Sequence, residues 1–239
     1  MSTGKAAEPP VAIITAASQG IGEAVARKLA NQGWRVALMA RSERVEKIAA
    51  ELGGHALRGS ITEVSDLRRL VDETLRQFGR IDGVVLSSGN AARGPLLEIS
   101  DEDWHKGFDL LLMLAIRVAR LSTPHLAAAG GGSIVNISSF AAREPDGRLA
   151  VSSVIRAGLT AFAKLYAAEH ASAGIRMNNL LPGYMENAPQ DPQVTARIPS
   201  RRLGAMNELA ATAAFLLSAD AAYINGQDIL VDGGLVRGI

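Results

Sequence analysis

Val11-Ala12-Ile13-Ile14-Thr15-Ala16-Ala17-Ser18-Gln19-Gly20-Ile21-Gly22 decides the fold of this chain. The aliphatic run Val11–Thr15 passes straight into a short turn carrying two glycines, and Glu23 to Asn31 then has the spacing of a helix. Gly20 and Gly22 let the backbone turn tightly and come close to a bound group. A helix starting there aims its free N–H groups and the positive end of its dipole at that group. Strand, glycine turn and helix in this order form a cradle for a pyrophosphate, so Thr15, Ala17, Ser18, Gln19, Gly20, Ile21 and Gly22 are candidate contacts of a dinucleotide. Ala16 stands where the first glycine of such turns usually lies.

Outward from this turn, aliphatic runs alternate with helix-period segments to the end of the chain. The strands read at Val11–Thr15, Arg35–Met39, Ala56–Arg58, Gly83–Ser87, Ser133–Ser138, Arg176–Leu181 and Ile229–Val231. Such alternation predicts one α/β domain over residues 11–239, a doubly wound Rossmann-type sheet of seven parallel strands with helices on both faces, behind a flexible arm at 1–10. Pro182 to Arg202 holds four prolines and little periodicity, and reads as a loop at the carboxyl ends of the strands, either a substrate cover or an ordinary connection.

With 48% hydrophobic and 21% charged residues, the 239-residue chain can bury a large core. Lys and Arg number 25 against 24 Asp and Glu, so no net field draws nucleic acid or an anionic membrane. There is no cysteine, and the four histidines are scattered, so no metal site is expected. The start lacks the pattern of a signal peptide and the longest unbroken apolar run, Leu110 to Ile116, is short for a membrane span; a cytoplasmic protein is expected. Arg41 follows the second strand about twenty residues beyond Gly22, where an acidic residue would grip the ribose hydroxyls of NAD. A guanidinium fork there matches a 2′-phosphate instead, which favours NADP(H) over NAD(H).

The chain resembles the short-chain dehydrogenase/reductase family along almost its whole length. The resemblance rests on Thr15 to Gly22, Gly79-Arg80-Ile81-Asp82, Asp101-Glu102-Asp103-Trp104, Ser133-Ile134-Val135-Asn136-Ile137-Ser138-Ser139, Pro182-Gly183-Tyr184, Asn225-Gly226-Gln227 and Val231-Asp232-Gly233-Gly234. It implies hydride transfer between nicotinamide and an alcohol or carbonyl, and dimers or tetramers built on the fourth and fifth helices. Further cofactor contacts implied by the resemblance are Ser60 and Ile61 at the adenine, Ser87, Ser88 and Gly89 in the altered motif Leu86-Ser87-Ser88-Gly89, Arg156, and Pro182, Gly183, Met185 and Asn187 around the nicotinamide and pyrophosphate.

The family's active site combines asparagine, serine, tyrosine and lysine. Here only the serine remains, as Ser139. Leu111 stands for the asparagine, Ser152 for the tyrosine and Arg156 for the lysine, in the segment Ser152-Ser153-Val154-Ile155-Arg156. A phenol beside a lysine can be tuned to exchange a proton near neutral pH, whereas serine is too short to replace it and guanidinium does not deprotonate. Leu111 also reads as helix packing and Ser152 as a helix cap. Tyr184, after the Pro-Gly turn, is the replacement donor the sequence offers.

Three functions remain open on these residues. One is an NADP(H)-linked oxidoreductase of unknown substrate, with ordinary carbonyl reduction impaired. Another is a non-catalytic partner subunit of a related dehydrogenase, or a sensor of nicotinamide state. The third is chemistry resembling the halohydrin dehalogenases, which carry arginine where Arg156 stands but keep the tyrosine and lose the dinucleotide turn, the reverse of this chain on both counts.

Overall fold

The computed structural model describes residues 8–188 and 191–238. Positions 1–7 of the expected arm lie outside the described residues, and Glu8 to Pro10 run without regular structure into the first strand. Seven parallel strands form one sheet: β1 (Val11–Thr15), β2 (Arg35–Ala40), β3 (His55–Arg58), β4 (Gly83–Leu86), β5 (Gly132–Ile137), β6 (Ile175–Pro182) and β7 (Asp228–Val231). Their order is β3-β2-β1-β4-β5-β6-β7, so the sheet is wound outward in both directions from β1 and β4. Ligands of open parallel sheets bind where that direction reverses, at the carboxyl ends of the strands. The glycine turn leaves β1 at that point.

Both faces of the sheet are covered, which is why the strands read as aliphatic runs rather than alternating ones. On one face Ala12, Ile14, Val36 and Leu38 pack against α1 (Gly20–Asn31), α2 (Arg44–Glu51) and α8 (Met206–Leu217). On the other, Ile13, Met39, Val84 and Ile134 pack against α3 (Val64–Phe78), α5 (Leu114–Ala128) and α6 (Ala150–His170).

The apolar run Leu110 to Ile116 lies inside a longer helical stretch. It begins as α4 (Asp101–Phe108), capped by the Ser100 hydroxyl accepting from the Asp103 N–H, passes through a π-helical turn at Asp109–Met113, and continues as α5. The stretches 101–128 and 147–173 are long and apolar enough to cross a bilayer by length and composition, more than the run Leu110 to Ile116 suggested. Both flank the sheet here and give it Leu114, Val118, Leu159 and Ala163.

The segment from Pro182 to Arg202 departs from the expected plain loop, because it contains α7 (Pro192–Arg197). Asp191 caps this helix by accepting from the Gln193 N–H, and proline at its first position has the backbone angle a helix start needs.

Candidate functional site

At the end of β1, Thr15 is fully buried and its hydroxyl donates to the carbonyl of Ser87 at 2.7 Å, tying β1 to the chain beyond β4. The Ala17 N–H donates to the Met39 carbonyl at 3.0 Å, tying the turn to β2. Thr15 and Ala17 therefore shape the turn, while Ser18, Gln19 and Gly20 lie at its surface. Gly22 shows how closely the loop is folded: a Cβ there would lie 2.5 Å from the Ala16 carbonyl oxygen. Ala16 itself has φ of 49°, the left-handed conformation that costs a residue with a Cβ about 1–2 kcal/mol. Ile21 packs against the core on the α1 face.

No side chain caps α1, whose Gln19 N-cap is extended, so its first N–H groups face outward. Asn187 comes over the turn from beyond β6, with its amide nitrogen 3.4 Å from where a Gly20 Cβ would stand. Arg41, at the end of β2, is exposed and has no partner among the described residues. An open helix start, a glycine cradle and a free guanidinium along the switch point fit a phosphorylated dinucleotide.

The remaining expected contacts line the same edge of the sheet with different degrees of access. The Ser60 N–H donates to Asp66 Oδ2 at 2.8 Å and its hydroxyl meets Thr62 at 2.8 Å, while Ile61 packs against the core. Ser87 is buried, Ser88 half-buried and Gly89 exposed. Pro182 ends β6. Gly183 follows, and a Cβ on it would meet the Asp232 backbone at 2.8 Å. Met185 is buried against Gly204 and the α1-side core.

Arg156, on the second turn of α6, is 8% exposed. Its Nη1 donates to the Ile137 carbonyl at 2.7 Å, Nε to the Ser152 hydroxyl at 3.0 Å and Nη2 to the Ser88 hydroxyl at 3.3 Å. All three acceptors are neutral. Burial pulls the guanidinium down to about 10, which still leaves it charged at physiological pH. Ser152 lies inside α6, whose N-cap is Leu149, so the capping role expected of it is replaced by this contact with Arg156. Leu111, in the π-turn, is 3% exposed, packs with Val151 and Ile155 of α6, and shares a small cavity with Arg156. The space for this contact comes from Gly107, where a Cβ would lie 2.4 Å from Val151 Cγ1.

Ser139 lies two residues beyond β5, and its hydroxyl accepts from the Ala141 N–H at 3.2 Å. Among the described residues no hydrogen bond joins it to Ser152, Arg156 or Tyr184. Tyr184 is held elsewhere: its hydroxyl accepts from Arg148 Nη2 at 2.8 Å and donates to Asp146 Oδ2 at 3.4 Å, and its ring lies 5.3 Å from that of Phe140. Burial and the Asp146 charge raise the phenol above its ordinary value, against the smaller opposing effect of Arg148. That is the wrong direction for a proton donor at neutral pH. Asp146 and Arg148 were not marked by any local pattern, because they meet Tyr184 only across the fold.

A parallel seven-stranded sheet with an open helix start at its switch point defines a Rossmann-type α/β protein. The family model described as Enoyl-(Acyl carrier protein) reductase matches residues 15–236. Dehydrogenase/reductase SDR family member 4 of Caenorhabditis elegans is 32% identical over 248 residues, covering 95% of each chain. The 3-oxoacyl-(acyl-carrier-protein) reductase FabG of Escherichia coli (strain K12) is 32% identical over 238 residues, covering 95% of this chain and 98% of that one. Among solved structures, L-sorbose reductase from Gluconobacter frateurii, complexed with NADPH and L-sorbose, superposes with a TM-score of 0.89 at 28% identity, over 97% of this chain and 98% of that one. The chain belongs to the short-chain dehydrogenase/reductase family of oxidoreductases.

Proposed function

We propose that this protein binds NADP(H) in preference to NAD(H) and that the family's ordinary alcohol–carbonyl chemistry is strongly impaired in it. The observation that carries the second half is Arg156, a buried guanidinium held by three neutral oxygens where a titrating pair is expected. Support for the cofactor comes from the open start of α1, from Arg41, and from the NADPH complex of L-sorbose reductase. Bound nicotinamide would supply the hydride. The α1 N–H groups and Asn187 would hold the pyrophosphate, and Arg41 the 2′-phosphate.

The side chains beside that site can orient a carbonyl without acidifying it. Ser139 is able to donate a hydrogen bond, and Ser152, which accepts from Arg156, keeps its own proton for donation. Neither hydroxyl titrates in the physiological range. A general acid contributes about 10²–10⁴-fold, so its loss should lower turnover of simple ketones by that factor. Leu111 places apolar surface where a polar group could hold a water in a proton path. Tyr184, tied to Asp146 and Arg148, serves in this reading to hold the cover segment rather than to donate.

Stopped-flow absorbance of NADPH across a panel of ketones and diketones tests the reading: the unaltered protein is expected to bind cofactor without measurable oxidation. The combined change Leu111→Asn, Ser152→Tyr and Arg156→Lys should then bring slow diketone reduction. Rapid turnover by the unaltered protein would overturn the proposal.

A further inference from the structure

A row of amides crosses the sheet toward Arg156. On three neighbouring strands, Asn136 of β5, Asn179 of β6 and Asp228 of β7 are register partners. Asn179 Nδ2 donates to Asp228 Oδ1 at 2.7 Å, and Asn136 Nδ2 donates to Asn179 Oδ1 at 2.8 Å. The other carboxylate oxygen accepts from the Thr160 hydroxyl at 2.9 Å.

The direction of this row is fixed by chemistry. An ionised carboxylate only accepts, so Asn179 must turn its NH₂ to Asp228 and its oxygen to Asn136. Asn136 must then turn its NH₂ to Asn179, which leaves Asn136 Oδ1 at the far end, buried and without a protein partner. Reversing either amide would set two acceptors or two donors against each other. Asn136 lines the same cavity as Ser88, Leu111 and Arg156, and the cavity measures about 10 Å³, the room of one water. Arg156 uses three of its five N–H groups on Ile137, Ser152 and Ser88.

We infer that one water is bound in this cavity, accepting from the Arg156 guanidinium and donating to Asn136 Oδ1, and that Asp228, reached through Asn136 and Asn179, is the counter-charge of Arg156. Every link then has the same polarity, from carboxylate through two amides and a water to guanidinium, and each dipole strengthens the next. Such an arrangement keeps a charge buried without placing a carboxylate beside it, where it would compete with a ligand for the guanidinium. Asp228 is accordingly a positioning residue for Arg156.

Two measurements test this, neither using a cofactor, so their outcome is independent of the NADP(H) reading. A high-resolution crystal structure of the unaltered protein is expected to show an ordered water within hydrogen-bond distance of Asn136 Oδ1 and Arg156; a dry cavity, or a water that touches only one of them, overturns the inference. Urea unfolding of Asp228→Asn, Asn136→Asp and the double variant tests the counter-charge. Each single change should lower the folding equilibrium constant by about tenfold or more, the second because a carboxylate then faces Asn179 Oδ1. In the double variant the row can reverse, bringing Asp228→Asn and Asn136→Asp into register with the negative charge now beside the cavity. Recovery of most of the loss is expected, whereas a double variant as poor as the product of the singles refutes the coupling. Where a single variant does not fold, a folded double variant gives the same support, and an unfolded one counts against it.

Discussion

Arg41 and Ala16 frame the cofactor turn from opposite sides, one by charge and one by backbone. Arg41→Asp should reverse the preference between NADPH and NADH, because it replaces a charge-assisted bond to a 2′-phosphate worth about 1.5–3 kcal/mol with repulsion. Calorimetric titration of both cofactors checks it, and equal affinities in the unaltered protein would remove Arg41 from the account. Ala16→Gly should stabilise the fold by about 0.5–1 kcal/mol, since relief of the left-handed strain exceeds the added freedom of glycine in the unfolded chain. Thermal unfolding reads this directly. The role of Ala16 as the missing glycine was legible in the sequence, because the strand, turn and helix around it leave only one way to fold locally. Asn136, Asn179 and Asp228 were not, since a buried asparagine in an aliphatic strand says that it has a partner but not which one.

Elements were read best where both sides of a strand are buried and worst where polar contacts reach across the chain. All seven strands appear where aliphatic runs predicted them, with ends shifted by a residue or so. The π-turn at Asp109–Met113 was invisible, because no local breaker marks it and the contact beside it, Gly107 against Val151 and Ile155 of α6, is made across the fold. Likewise α7 was hidden by the prolines around it. The 182–205 segment is clasped by Tyr184, Asp146 and Arg148, with Arg197 of α7 at 3.9 Å from Asp146. Arg148, first of all, holds the Asp146 carboxyl down to about 2 from its ordinary 3.8. A depressed folded value means that this clasp contributes fully above about pH 4 and is lost as pH falls toward 2. Cleavage of the 182–205 segment by an acid-active protease should therefore quicken over that window, and Asp146→Asn should show the fast rate already at pH 5. A rate that does not change with either would mean that the segment is held by the apolar contacts of Tyr184 and Ile198 with Phe140 and Leu235.

At the scale of the whole molecule, apolar surface is left over. Of the most apolar windows in the stretches 101–128 and 147–173, only 39% and 44% of residues are buried. Phe108, Val154 and Leu165 are among the exposed apolar side chains there, at 44%, 58% and 71%. Large exposed apolar patches are a common mark of protein–protein contact. Sedimentation at micromolar concentration is expected to show a dimer or larger assembly through these helices, and Leu165→Glu with Val154→Glu should shift it toward monomer. A monomer in the unaltered protein, with no partner, would count against an assembly through these helices.

The amide row also bears on how these sheets can be recombined. Arg156 and Asn136 lie before Pro182, while Asp228 lies after it, across the largely irregular segment 182–205 where a join with a relative is easily made. A chimera joined at Pro182 that brings in a strand without an acid at position 228 would carry an intact 182–205 segment and an intact turn. Its inherited halves would nevertheless be mismatched in the middle of the sheet, so residues 136, 179 and 228 have to be moved as one module.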